Sequence, residues 1–179
     1  MSKIIAPAHS RREIEQFAMH IKQNLGLQNI LYIPILEIAE NTLVQIDETY
    51  SFEVVENNDL NFSYNEYAKY CPESNTLMIK NDVYIAAYNG DGRQRFTVAH
   101  ELGHYFMHRN LIGFSRVSDK IEIPRYMDPE WQADVFSGAF LINPNCIKKM
   151  STQEISQSCG VSHQAATIAI EQLNKAKRA

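Results

Sequence analysis

Two histidines four residues apart, with a glutamate directly after the first, are the side chains best placed to do chemistry: positions 100 to 104 read His100-Glu101-Leu102-Gly103-His104. The flanking residues, Phe96-Thr97-Val98-Ala99 and Tyr105-Phe106-Met107, are free of proline and amphipathic, so the segment is expected to be helical. On a helix such a pair shares one face about a turn apart, and both imidazoles can reach a single ion. Glu101 projects from a neighbouring angle, where a carboxylate can touch a water on the metal without ligating the metal itself, the position of a general base. The bland alternative is a helix that happens to expose two of the chain's six histidines.

Zinc hydrolases generally use three protein ligands and keep a fourth position for water, so a third ligand must lie elsewhere. His108 would extend the row, but three residues over two turns spread across about 12 Å of helix axis, too far for one ion. The longer zinc pattern with a third histidine six residues after the second meets Asn110 instead, which excludes that class. Asp128-Pro129-Glu130-Trp131-Gln132-Ala133-Asp134 is the better source. Glu130 and Asp134 lie four apart on a second expected helix: Glu130 can complete a His-His-Glu set, and Asp134 can accept the free N–H of a ligating histidine and fix its tautomer. Acidic residues also gather at helix N-termini for the macrodipole alone. Asp134, Asp128 and Glu122 stand as fallback ligands.

The elements that must carry these residues read as follows. Ser10 with Glu13 forms a capping box, and Ile14, Phe17, Ala18, Ile21 and Leu25 follow at helical spacing until Gly26. Pro34 opens a shorter helix to about Glu40. Leu43–Ile46, Phe52–Val55 and Thr76–Ile79 are β-prone and separated by turn residues, which predicts a small, mostly antiparallel sheet. Asn81 to Tyr88 suits a short helix, and Asn89-Gly90-Asp91-Gly92 breaks the chain before the histidine helix, which begins near Arg93. Gly113 to Ile123 reads as loop with some strand. Asp128-Pro129 starts the next helix, buried through Val135, Phe136, Ala139 and Phe140 until Pro144. Ser151 with Glu154 caps a short helix, and Gly160 separates it from the last. The expected fold class is α+β: a small sheet packed with helices, the histidine helix among them, and a C-terminal helical hairpin.

The residues Arg95 through His104, then Glu130 through Phe136 and Pro144, resemble the ImmA/IrrE metallopeptidases, over roughly Ile14 to Leu173. The resemblance implies a gluzincin-like zinc site beside a small sheet, with His100, His104 and Glu130 as ligands, Glu101 as general base and Zn2+ as cofactor. It also implies a substrate class: helix-turn-helix repressors, often encoded next door on mobile elements, or partners in toxin–antitoxin-like pairs. Ser137-Gly138-Ala139-Phe140-Leu141-Ile142-Asn143 departs from the family's usual run of small residues and Leu-Leu-Met before the proline, which touches packing and the cleft wall but not the metal logic. For the oxyanion donor that hydrolysis requires, Tyr64, Tyr67, Tyr105, Tyr126, Arg125 and His108 are all candidates.

Length and charge bound the rest. With 179 residues, 45% hydrophobic and 21% charged, the chain suits one domain, residues 1–179. Net charge of −4 argues against a protein built to coat nucleic acid or an anionic membrane. Cys71, Cys146 and Cys159 lack paired spacing, and the N-terminus has no apolar signal region, which leads us to expect a cytoplasmic protein without a membrane span. Residues 151–175 have a helix-turn-helix pattern. Its DNA-binding version would present Ser162, His163 and Gln164; its bland version closes the core through Ile155, Val161, Ala165, Ile168 and Leu173, and few basic residues before Lys175, Lys177 and Arg178 support the former. Beside the protease stands an alternative of another class, a non-proteolytic partner-binding module or toxin-like component with a structural or regulatory metal, which would have no need of Glu101.

Overall fold

A computed structural model describes residues 3–110, 116–117 and 122–176 of the chain. After β1 (Lys3–Ile4), the capping box forms as its residues dictate: the Glu13 amide donates to Ser10 Oγ at 3.3 Å, and the Ser10 amide donates back to Glu13 Oε2 at 2.7 Å. Helix α1 (Arg11–Asn24) then buries Ile14 and Ala18, while Phe17, Ile21 and Leu25 pack against the core.

The second helix runs longer than its sequence suggests. Helix α2 (Ile35–Glu37) continues through a π-helical stretch (Ile38–Thr42) into α3 (Leu43–Ile46). The expected strand at Leu43–Ile46 is therefore helix. Ile35, Ile38, Ala39 and Leu43 are all buried at helical spacing, whereas the β-prone Val44 and Ile46 face solvent. Burial of one stripe overrides the local propensity.

The other two expected strands form, as β2 (Ser51–Val55) and β4 (Thr76–Lys80), and a strand the propensities did not single out, β3 (Ala68–Cys71), joins them. The order is β2-β4-β3, with β4 antiparallel to β3 and parallel to β2. The tight β3–β4 turn uses Asn75 at φ 50°, a conformation asparagine tolerates, and its carboxamide oxygen accepts from Tyr70 Oη at 2.7 Å. A separate antiparallel pair joins β1 to β5 (Arg116–Val117). Two of the three pairings are thus antiparallel, and the β2–β4 pairing is the departure. Residues 113–115 and 118–121 of the expected loop lie outside the described residues.

Helix α4 (Asn81–Tyr88) follows the sheet, and α5 (Gly92–His108) is capped by Asp91, whose side chain accepts from the amides of Arg93 and Gln94 at 2.9 Å each. Helix α5 is the centre of the molecule: it packs on β3 and β4, on α2 and α4, and most extensively on α6 (Pro129–Leu141), which in turn rests on α1. Phe17, Phe106, Phe136 and Phe140 fill the space between these three helices. Among the described residues no helix is long and apolar enough to cross a membrane.

The C-terminal hairpin is α7 (Thr152–Cys159) and α8 (His163–Ala176), joined through Gly160 in the left-handed region at φ 60°. It closes the core: Ile155, Cys159, Val161 and Ala166 are buried, and Ala165 and Leu173 pack beside them, but Ile168 is exposed. The buried Arg95 ties it to α5, donating from Nε to Gly160 O at 2.8 Å and from Nη2 to Ile33 O at 2.7 Å, with its guanidinium 3.8 Å above the Tyr32 ring. Lys177 and Arg178 lie outside the described residues.

Candidate metal centre

Helices α5 and α6 meet closely where Gly103 faces Ala133. A Cβ on Gly103 would stand 3.1 Å from Ala133 Cα and 3.3 Å from its Cβ and carbonyl oxygen, so any side chain there would push Ala133 back by a few tenths of an ångström. Residues on either side of the contact then face one another: His100 and His104 from α5, Glu130 and Asp134 from α6. Asp128 caps α6 by accepting from the Glu130 amide at 3.1 Å, and Pro129 occupies the first turn, where its missing N–H costs nothing.

Three donor atoms converge. His100 Nε2 lies 3.1 Å from His104 Nε2 and 3.2 Å from Glu130 Oε2, and His104 Nε2 lies 3.5 Å from Glu130 Oε1. A four-coordinate zinc with bonds of about 2.0–2.1 Å separates its ligand atoms by about 3.3 Å, so the set fits one zinc ion. The charge balance agrees. Burial lowers the affinity of His100 for a proton, but hydrogen bonds with Asp134 and Glu130 raise it by more, to a pKa of about 10. The two histidines hold Glu130 well below the usual carboxylate range. The cluster favours a positive charge at its centre.

Asp134 Oδ1 accepts from His100 Nδ1 at 3.0 Å, which leaves Nε2 as the inward atom. Glu101 stands on the sheet side of α5, where its Oε2 accepts the main-chain N–H of Tyr70 at 2.7 Å. Among the described residues that strand, β3, is an edge of the sheet. Because Lys80 N bonds to Tyr67 O, the residues that turn their main-chain groups away from β4 are Ala68 and Tyr70, on the side facing Glu101.

His108 is drawn into the cluster without being near the ligand atoms. It is buried, its Nδ1 lies 3.0 Å from His104 Nδ1, and its Nε2 lies 2.9 Å from Gln132 Oε1. Burial and the neighbouring His104 lower its pKa to about 4. Two of the oxyanion candidates are therefore engaged elsewhere: His108 here, and Tyr105 in a hydrogen bond from its hydroxyl to Asp47 Oδ2 at 2.8 Å. Tyr64, Tyr67, Tyr126 and Arg125 are exposed. Of the fallback ligands, Asp128 is the helix cap, Asp134 holds the outer nitrogen of His100, and Glu122 is exposed.

Gln132 and the Tyr70 amide carry no mark of this role in the sequence. Gln132 sits inside the acidic heptapeptide but has no charge to mark it, and a main-chain donor leaves no trace in a sequence. Beside the cluster a groove of about 940 Å³ runs between α1, α6 and α8, its wall including Arg11, Phe96, Trp131, Asp134, Ile168 and Leu173.

The peptidase family M78, described as the IrrE N-terminal-like domain, matches residues 53–171, a span holding every residue of this cluster. No curated protein matches the chain. A solved structure of a Mycobacterium tuberculosis transcriptional regulator is similar with a TM-score of 0.54 at 16% identity, over 87% of this chain and 45% of that one. At that identity the likeness is one of fold, and this chain spans less than half the regulator's length.

Proposed function

The chain belongs to the IrrE N-terminal-like family of peptidases, and we propose that it is a zinc-dependent metalloendopeptidase that cleaves a partner protein, a helix-turn-helix repressor or an antitoxin. The observation carrying this reading is the convergence of ligand atoms from His100, His104 and Glu130 within 4.8 Å of one another, with Glu101 beside them on the same helix. His100, His104 and Glu130 would hold the metal. Zinc at such a site supplies an acidified water and polarisation of the scissile carbonyl.

The chain's own residues do the rest. Glu101 takes the proton of the attacking water and returns it to the leaving amine. The Tyr70 N–H fixes one oxygen of that carboxylate, leaving the other for proton transfer. Asp134 keeps His100 oriented. Beyond the Tyr70 N–H that holds Glu101, the outward main-chain groups of Ala68 and the Tyr70 carbonyl would serve an extended substrate segment, which would bind by adding a strand along β3 beside Glu101. The Mycobacterium tuberculosis transcriptional regulator has a similar fold, which accords with a role in transcriptional control.

Metal content of the purified protein and of Glu130→Ala, with cleavage of the repressor encoded beside the gene, tests the proposal. One zinc per chain, lost in the variant together with cleavage, is the expected result. Zinc without cleavage of that repressor would favour a partner-binding module, and no metal in the wild type would overturn the reading.

A further inference from the structure

His108 and Gln132 are buried polar residues that the proposed reaction does not use: 5% and 0% exposed respectively. Their hydrogen bonds nevertheless have only one consistent direction. Gln132 Nε2 lies 2.7 Å from Pro7 O and 2.8 Å from Tyr126 O, two main-chain carbonyls that can only accept. Both amide hydrogens are committed there, so it is the carbonyl oxygen of Gln132 that faces His108 Nε2 at 2.9 Å. That nitrogen must carry the hydrogen. A buried imidazole whose hydrogen-bond partners are an amide and another imidazole is neutral, so its Nδ1 is a lone pair.

The lone pair faces His104 Nδ1 at 3.0 Å. His104 therefore carries its hydrogen on Nδ1, and its Nε2 lone pair is turned inward, where in the metal-free chain it accepts from the Nε2–H of His100 at 3.1 Å. The other tautomer of His104 would set two lone pairs against each other at Nδ1 and place a hydrogen where a cation must bind.

We propose that His108 and Gln132 are positioning residues. A directed chain of hydrogen bonds, anchored on the carbonyls of Pro7 and Tyr126, fixes His104 in the one tautomer that presents Nε2 to the metal, as Asp134 does for His100. The inference rests on the zinc reading above for its purpose but not for its proton order, which is a property of the metal-free chain. It also links the site to the segment before α1: Pro7 reaches the metal ligand through two side chains.

Two measurements test it. Imidazole nitrogen chemical shifts of the metal-free wild-type protein report which His104 nitrogen bears the hydrogen; Nδ1–H is expected, and Nε2–H would overturn the proposal whether or not zinc binds. Zinc affinity, read by competition with a chelator, should fall about 10–100-fold in His108→Phe and in Gln132→Leu. It should recover most of the way in His108→Asn, whose carboxamide oxygen can replace Nδ1 as acceptor. Wild-type affinity in both His108→Phe and Gln132→Leu, with the His104 signals unmoved, would overturn the proposal. If His108→Phe does not fold, Gln132→Leu and the wild-type spectrum carry the test. A wild-type protein that binds no zinc but shows Nδ1–H on His104 would sink the peptidase reading and leave the proton order standing.

Discussion

Gly103 of α5 lies so close to Ala133 of α6 that a Cβ built on the glycine would sit 3.1 Å from the alanine Cα. The contact sets the spacing between the helix that carries His100 and His104 and the helix that carries Glu130. Gly103→Val is expected to force the helices apart, lowering stability by roughly 1–3 kcal/mol through overpacking and weakening zinc binding as Glu130 recedes. Urea melts with zinc titrations check this. Unchanged zinc affinity in a destabilised variant would mean that the helices can yield without moving the ligands.

Asp134 is exposed, and its described hydrogen bond goes to His100 Nδ1 at 3.0 Å. Asp134→Ala should therefore lower zinc affinity about 10–100-fold, the usual cost of removing such an orienting partner. Chelator competition at fixed pH reads the effect. An affinity equal to the wild type would remove Asp134 from the site.

Glu101 differs from the two histidines in what its loss should do. Glu101→Gln keeps the size of the side chain and an oxygen able to accept from Tyr70, so the metal should still bind at the wild-type level. Turnover of the partner protein should drop by about 10²–10⁴-fold, the range general base catalysis contributes. Cleavage close to the wild-type rate would exclude Glu101 as the base, whereas His104→Ala should lose metal and turnover together.

The parts of this molecule legible in its sequence are those set by short spacing. Capping boxes at Ser10 and Ser151, the proline after Asp128 and the four-residue steps from His100 to His104 and from Glu130 to Asp134 all act within a turn or two of helix. Leu43–Ile46 is β-prone by composition, but Leu43 is buried in line with Ile35 and Ala39, a long-range packing choice that local composition does not carry. Strand β3 was not singled out because its pairing with β4, and the hydrogen bond its Tyr70 makes to Glu101, are decided across the fold. His108 shows both sides: its spacing ruled it out as a ligand, yet its hydrogen bond to Gln132, 24 residues away, could not be foreseen.

Lys22 offers a test of the packing between α1 and α6 that is independent of the metal. Its side chain is fully buried and donates to Ala139 O at 2.7 Å, in the last turn of α6. Burial lowers its pKa from 10.5 to about 8. Below about pH 8 both folded and unfolded chains hold the proton, and the fold bears the full cost of a buried charge, on the order of 3 kcal/mol for a shift of this size. Between about pH 8 and 10.5 the unfolded chain binds more protons than the folded one, so stability rises with pH across that window. Lys22→Met has no such titration. The variant should be the more stable protein near pH 7, offset by about 1 kcal/mol for the lost hydrogen bond, and its advantage should shrink as the pH is raised to 10. Urea melts of both proteins at pH 7, 9 and 10 read the difference. A gap that stays constant with pH would mean that the ammonium reaches water in the folded state, and that α1 and α6 do not close over it.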